Sequence, residues 1–198
     1  MARQKVIGLT GPTGAGKTTV SKALEQKGYY IIDADQVARK VVLPGSECLL
    51  KIAGVFGGEV LNPDQSLNRQ ALGRIVFSNK DKLKQLEGII FPYIIHDIQQ
   101  MIKQSEEQGN HIVILDAPTL FESGCDKLCD QVIVVIAPLN ARLLRIVSRD
   151  GISFEQAMQR ISAQHDDAFY TEQADFIVDN SKPQADYSNL LSWLSSLE

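Results

Sequence analysis

The stretch that decides the fold is LTGPTGAGKTTV, residues 9–20. Gly11 is followed after four residues by Gly16-Lys17-Thr18, the G-x-x-x-x-G-K-[ST] spacing of a loop that cradles phosphates. Gly11, Gly14 and Gly16 leave the backbone free to take positive φ and to turn its N–H groups inward as an anion nest. Those amides, with the N-terminus of a following helix, favour the phosphates of a nucleotide. Lys17 can reach the β- and γ-phosphates, and the Thr18 hydroxyl can ligate Mg2+. Lys17 is expected to contact phosphate and to support no core. The context fits the string: residues 5–10 (KVIGLT) read as a buried strand, residues 17–27 carry helical spacing, and Gly28 stops the helix. A nucleotide is therefore predicted here, and the destination of its terminal phosphate has to be read elsewhere in the chain.

Outward from the loop, residues 29–33, 111–116, 131–137 and 176–178 read as further buried strands. Helical patterns lie between them at 35–43, 140–149 and 154–164, and a last one covers 185–197. Strands separated by helices predict an α/β protein with a mainly parallel, five-stranded sheet flanked by helices. Residues 46–109 look helical almost throughout, too long for a simple crossover, and are read as a helical substrate-binding insertion. The chain is expected to form a single domain: a core of about 1–45, 110–138 and 170–198, that insertion, and a helical lid over about 139–169.

The 198 residues suffice to bury a sizeable core, and 44% hydrophobic with 22% charged residues is ordinary for a globular protein. No apolar run approaches the ~18 residues of a membrane span, and the apolar part of the N-terminus is too short for a signal peptide. A cytoplasmic protein without a membrane partner is expected. The net charge of −4 offers no basic field for nucleic acid. Cys48, Cys125 and Cys129 cannot all pair, and no further ligand completes a zinc set around the last two, so all three are expected as thiols.

A GTPase would need a guanine-reading N-K-x-D; the nearest string, Asn79-Lys80-Asp81-Lys82, ends in the wrong residue and reads as a helix start. A small kinase remains, in which an acceptor is brought to the γ-phosphate. Such an enzyme needs an acid at the carboxyl end of a strand. Asp33 ends the strand after the loop helix and is the candidate to accept or orient the acceptor's proton, while Asp35 reads as the N-cap of the next helix. Asp116 ends the strand HIVILD in the layout of a carboxylate that holds Mg2+. Arg142, Arg145 and Arg149 recur on one helix face and, with Arg160, bracket an Asp150-Gly151 turn, the shape of a lid that brings cations to the moving phosphoryl group. Arg149, at the helix end, is the candidate arginine; Arg142 is expected to matter less.

These pieces resemble the dephospho-CoA kinase family nearly end to end. The resemblance is carried by GPTGAGKTT, Ile31-Ile32-Asp33-Ala34-Asp35, Ala38-Arg39, Leu67-Asn68-Arg69 and Asp116-Ala117-Pro118 with Leu120-Phe121-Glu122. Arg145, Arg149-Asp150-Gly151, Arg160-Ile161, Gln164 and Asp179-Asn180 continue it in order. Phe91 stands where the family usually has His, and Thr119 where leucine is usual. The resemblance implies a fold of the P-loop nucleoside-triphosphate hydrolase type and ATP-dependent phosphorylation of the ribose 3′-hydroxyl of dephospho-CoA. It further implies that Gly14, Ala15, Gly16, Lys17, Thr18 and Thr19 hold the ATP phosphates and Mg2+. Asp33 would activate the hydroxyl, the insertion would clasp the acceptor, Arg149 would close on the transferring phosphate, and Asn180 would form part of the adenine pocket. A monomer or weak oligomer is expected. From the residues alone, a nucleoside monophosphate or sugar-acid kinase and a nucleotide-binding switch stay open, because fold does not fix the acceptor.

Overall fold

A computed structural model describes residues 3–182 and 186–198. It forms two compact units, one of Met1–Ile32 with Ile102–Glu198 and one of Asp33–Met101. The first begins with β1 (Lys5–Thr10), the loop, and α1 (Lys17–Gln26). Next in the chain comes β2 (Tyr30–Asp33), whose last residue opens the second unit.

The second unit carries α2 (Ala34–Lys40), α3 (Glu47–Phe56), α4 (Arg69–Val76) and most of α5 (Lys80–Glu107). It takes in α2 and leaves the end of α5 to the other unit, whereas the sequence places the insertion at 46–109. Each helix start has a local cause. Ser46 Oγ accepts from Leu49 N at 3.2 Å and Asn68 Oδ1 from Ala71 N at 3.0 Å. Asn79 Oδ1 accepts from Asp81 N and Lys82 N at 2.9 and 3.1 Å, so the N-K-D-K string is the helix start its residues suggest. Pro92 lies inside α5, directly after the half-buried Phe91.

Back in the first unit follow β3 (Ile112–Asp116), β4 (Gln131–Ile136), α6 (Leu139–Asp150), α7 (Phe154–Ser162), α8 (Asp167–Thr171), β5 (Phe176–Asp179) and α9 (Ser188–Ser195). The last helix starts later than the sequence suggests; Ala185 lies outside the described residues. The five strands run in the order β2-β3-β1-β4-β5, and the β1–β3, β1–β4 and β4–β5 pairs are parallel. β3 is buried along its whole length and β1 along all but its first residue. Burial on both faces is why their sequences read as continuous apolar runs instead of alternating. Ile7, Leu9, Ile114, Ile133 and Val135 form the core with Val20 and Leu24 of α1 and Leu190 and Leu194 of α9.

Register does the positioning. Leu9 lies opposite Asp116 and Thr10 opposite Val134, while Asn180 N donates to Ile136 O at 2.8 Å. The carboxyl ends of β1, β3, β4 and β5 thus deliver the loop, Asp116, the start of α6 and Asn180 to one edge of the sheet, where parallel α/β sheets bind their ligands. The three cysteines are free thiols, and burial pushes Cys129 up to about 12. Among the described residues no helix is long and apolar enough to cross a membrane.

Candidate active site

The loop takes the backbone its glycines allow. Gly11, Gly14 and Gly16 have φ of 147°, 79° and 93°, and Gly16 is the N-cap of α1. At all three a side chain would also have no room: a Cβ on Gly11 would run into the Val135 carbonyl oxygen, one on Gly14 would lie 2.8 Å from the Arg142 carbonyl oxygen, and one on Gly16 would run into the Asn180 amide. Lys17, in the first turn of α1, is ion-paired with Asp116 Oδ1, their side chains 15% and 10% exposed. A pair this buried is maintained because either charge alone would be costly. Thr18 and Thr19 are exposed at the helix start, and Ala15 is fully buried.

The carbonyl side of the loop is held by side chains from far along the chain. Arg142 Nε donates to Thr13 O at 2.9 Å, and Arg145 donates to Gly14 O, Ala15 O and Asn180 O at 3.3, 3.0 and 2.7 Å. Asn180 Nδ2 donates to Ala15 O at 2.8 Å, and the Tyr187 hydroxyl donates to Asn180 Oδ1 at 3.3 Å. Asn180 is only 4% exposed, so its amide braces the loop from beneath. Arg142, also 4% exposed, is no part of a solvated stripe; its guanidinium is fixed by Asp167 at 2.7 Å. Sequence reasoning assigned Arg142 little weight and gave Arg145 and Gln164 no role of their own. Side-chain bonds to backbone across some 130 positions leave no local pattern to read.

Arg149 stands apart. It is 61% exposed and pairs bidentately with Asp150 at 2.7 and 2.9 Å, while Arg160 from α7 reaches the same carboxylate at 2.5 Å. The Arg149 guanidinium holds Asp150 below the usual carboxylate range. α6 ends at Gly151 in the left-handed region, and α7 restarts with a capping box between Ser153 and Gln156.

Asp33, rather than Asp35, is the N-cap of α2. Its carboxylate accepts from Gln36 N and Gln36 Nε2, both at 3.0 Å. The helix starts at Ala34, with no residue between strand and helix, which places Asp35 inside the first turn, where a negative charge favours the helix dipole.

The phosphate loop after the first strand, an acid ending its neighbour and the 2-3-1-4-5 parallel sheet define a kinase-type P-loop protein. Residues 5–186 match the family model described as dephospho-CoA kinase. A dephospho-CoA kinase of Carboxydothermus hydrogenoformans is 39% identical over 89% of this chain and 85% of its own length. One from Pseudoalteromonas translucida is 42% identical over 89% and 83%. Among solved structures, dephospho-CoA kinase from Campylobacter jejuni superposes with a TM-score of 0.70 at 29% identity, covering 96% of this chain and 95% of that one. Shikimate kinase from Acinetobacter baumannii, at 18% identity and a TM-score of 0.52, shares the fold. The chain belongs to the dephospho-CoA kinase family.

Proposed function

We infer that this protein transfers the γ-phosphoryl group of ATP to the ribose 3′-hydroxyl of dephospho-CoA, giving CoA and ADP, the final step of CoA biosynthesis in the cytoplasm. The observation that carries this reading is the family match over residues 5–186, with the formed phosphate loop inside it. Gly14, Ala15, Gly16, Lys17, Thr18 and Thr19 hold the ATP phosphates, and Asn180 supports that loop from beneath. Asp33 ends the strand after α1 and takes or orients the proton of the acceptor hydroxyl. Residues 46–109 bind the acceptor. Arg149, from the lid of α6 and α7, closes on the transferring group.

Mg2+ fits the donor set. Thr18 and Asp116 offer a hydroxyl and a carboxylate, hard oxygen donors of the kind Mg2+ takes alongside substrate phosphates and water. Among the described residues no group of three or more His, Cys, Asp or Glu could hold a metal, so the nucleotide's own oxygens would complete the shell. The ion would neutralise charge on the phosphates as it develops.

With Mg-ATP supplied, the test is a panel of acceptors. Dephospho-CoA is expected to be consumed, AMP, shikimate and gluconate to be left alone, and adenosine to be a poor substrate, because remote contacts supply the energy that positions the hydroxyl. A preference for AMP or a sugar acid over dephospho-CoA would refute the acceptor and leave a kinase.

Lys17→Ala is expected to lower kcat/KM for ATP by about 10²–10³-fold, the scale of losing one electrostatic stabiliser of the transferring group. It also strips Asp116 of its partner, so the melting temperature falls too, by about 2–4 °C for each kcal/mol lost. Steady-state kinetics and thermal denaturation measure the two effects. Near-normal turnover would exclude the phosphate-loop role of Lys17.

A further inference from the structure

Thr13, in the middle of the phosphate loop, is gripped at both its polar backbone groups. Its N–H donates to Gln164 Oε1 at 2.7 Å, and its carbonyl accepts from Arg142 Nε at 2.9 Å. The two gripping side chains come from α6 and from the turn that follows α7, where Gln164 N donates to Ile161 O at 3.1 Å. Arg142 sits on α6, where its backbone touches Gly14 so closely that only glycine fits, and its guanidinium is pinned by Asp167 at the start of α8. Gln164 lies between α7 and α8, two residues beyond the last residue of α7.

The geometry of the peptide bond gives this grip a consequence for ligand binding. In a trans peptide the C=O of one residue and the N–H of the next point in opposite directions, and no cis peptide occurs among the described residues. Holding the Thr13 carbonyl back against Arg142 therefore turns the Gly14 N–H the other way, and the Ala15 carbonyl, held by Arg145 and Asn180, does the same for the Gly16 N–H. The Thr13 N–H, by contrast, is withdrawn into its bond with Gln164.

We propose that Arg142 and Gln164 are positioning residues for the nucleotide phosphates. They fix the orientation of the Thr13 peptide groups, and with it the Gly14 donor, before any ligand arrives, and they tie the loop to the segment between α7 and α8. Donors set in advance bind phosphate without a further ordering cost. The proposal rests on reading residues 11–19 as the ATP phosphate site.

Gln164→Leu removes the acceptor at similar volume from a half-buried position. Calorimetry on the full chain, with Mg-ATP and separately with magnesium tripolyphosphate, is expected to show both ligands weakened about 10-fold, the scale of one buried hydrogen bond left unmade. KM for ATP rises in parallel while KM for dephospho-CoA stays put, a split that a general loss of stability would not produce. Arg142→Lys, which keeps a positive charge near Asp167 but loses the Nε donor, gives the same pattern and serves if the leucine variant does not fold. Wild-type affinity for both ligands in a folded variant overturns the proposal. So does weakened ATP with unchanged tripolyphosphate, which would place the effect at the base instead of the phosphates. Failure of the wild-type protein to bind either ligand would remove the phosphate-site reading itself, and the proposal with it.

Discussion

Asp33→Asn is expected to lower kcat by about 10²–10⁴-fold, the range that general-base help supplies, while the melting temperature and the affinity for ATP stay near wild type. The substitution is unusually clean because the carboxylate has a structural task that asparagine can take over. Asp33 caps α2 by accepting from Gln36 N, and asparagine caps a helix as well as aspartate does. What asparagine cannot do is accept a proton from a ribose hydroxyl at neutral pH. Asp33→Ala would mix the two roles, because losing the cap itself costs about 0.5–2 kcal/mol. Asp35→Asn is the control: it removes a favourable charge from the first turn, worth ~0.3–1 kcal/mol, and should leave kcat alone. The comparison needs single-turnover rates and melting curves for all three variants. If Asp35→Asn proved slow and Asp33→Asn fast, the chemistry would belong to the other aspartate.

That the structure exchanges the capping residue shows where sequence reading reaches its limit. β1, the loop and α1 are legible almost to the residue, because a strand buried on both faces writes a continuous apolar run and the glycines punctuate it. The pair Asp33 and Asp35 is ambiguous, since both are good caps, and only the immediate joining of β2 to α2 decides between them. α8, at Asp167–Thr171, is too short to show a helical period, and the partner it supplies to Arg142 carries no sequence signal either. A lysine or arginine on an amphipathic helix is by default solvated. Arg142 departs from that rule because a carbonyl of the loop and a carboxylate of α8 satisfy its guanidinium inside the fold. For the same reason Arg142→Ala, which on the sequence reading matters less than a change at Arg149, is expected to weaken ATP binding.

The remaining large effect concerns Arg149. In phosphoryl transfer the γ-phosphoryl group passes through a state with charge spread over its equatorial oxygens, and on the proposed reading Lys17 with a bound metal ion would reach only part of it. A planar guanidinium arriving from the opposite side would complete the cage, with effects of ~10³ or more for such arginines. Arg149 has the freedom this requires. Its guanidinium is mostly exposed and bound bidentately to a neighbouring carboxylate, Asp150, which Arg160 also holds. A pair whose arginine is mostly exposed is screened by solvent, so the guanidinium can exchange the carboxylate for a phosphoryl group with the same fork geometry. Arg142 and Arg145, fixed to the loop backbone, have no such freedom. Arg149→Ala is therefore expected to depress kcat by about 10³-fold while calorimetry shows little change in ATP affinity. Arg149→Lys should also be slow, because it keeps the charge and loses the fork. Arg142→Ala should show the opposite split, a raised KM for ATP with a smaller change in kcat. An Arg149→Ala enzyme turning over at the wild-type rate would leave Arg149 as ordinary solvated surface and move the search for the closing cation to Arg160.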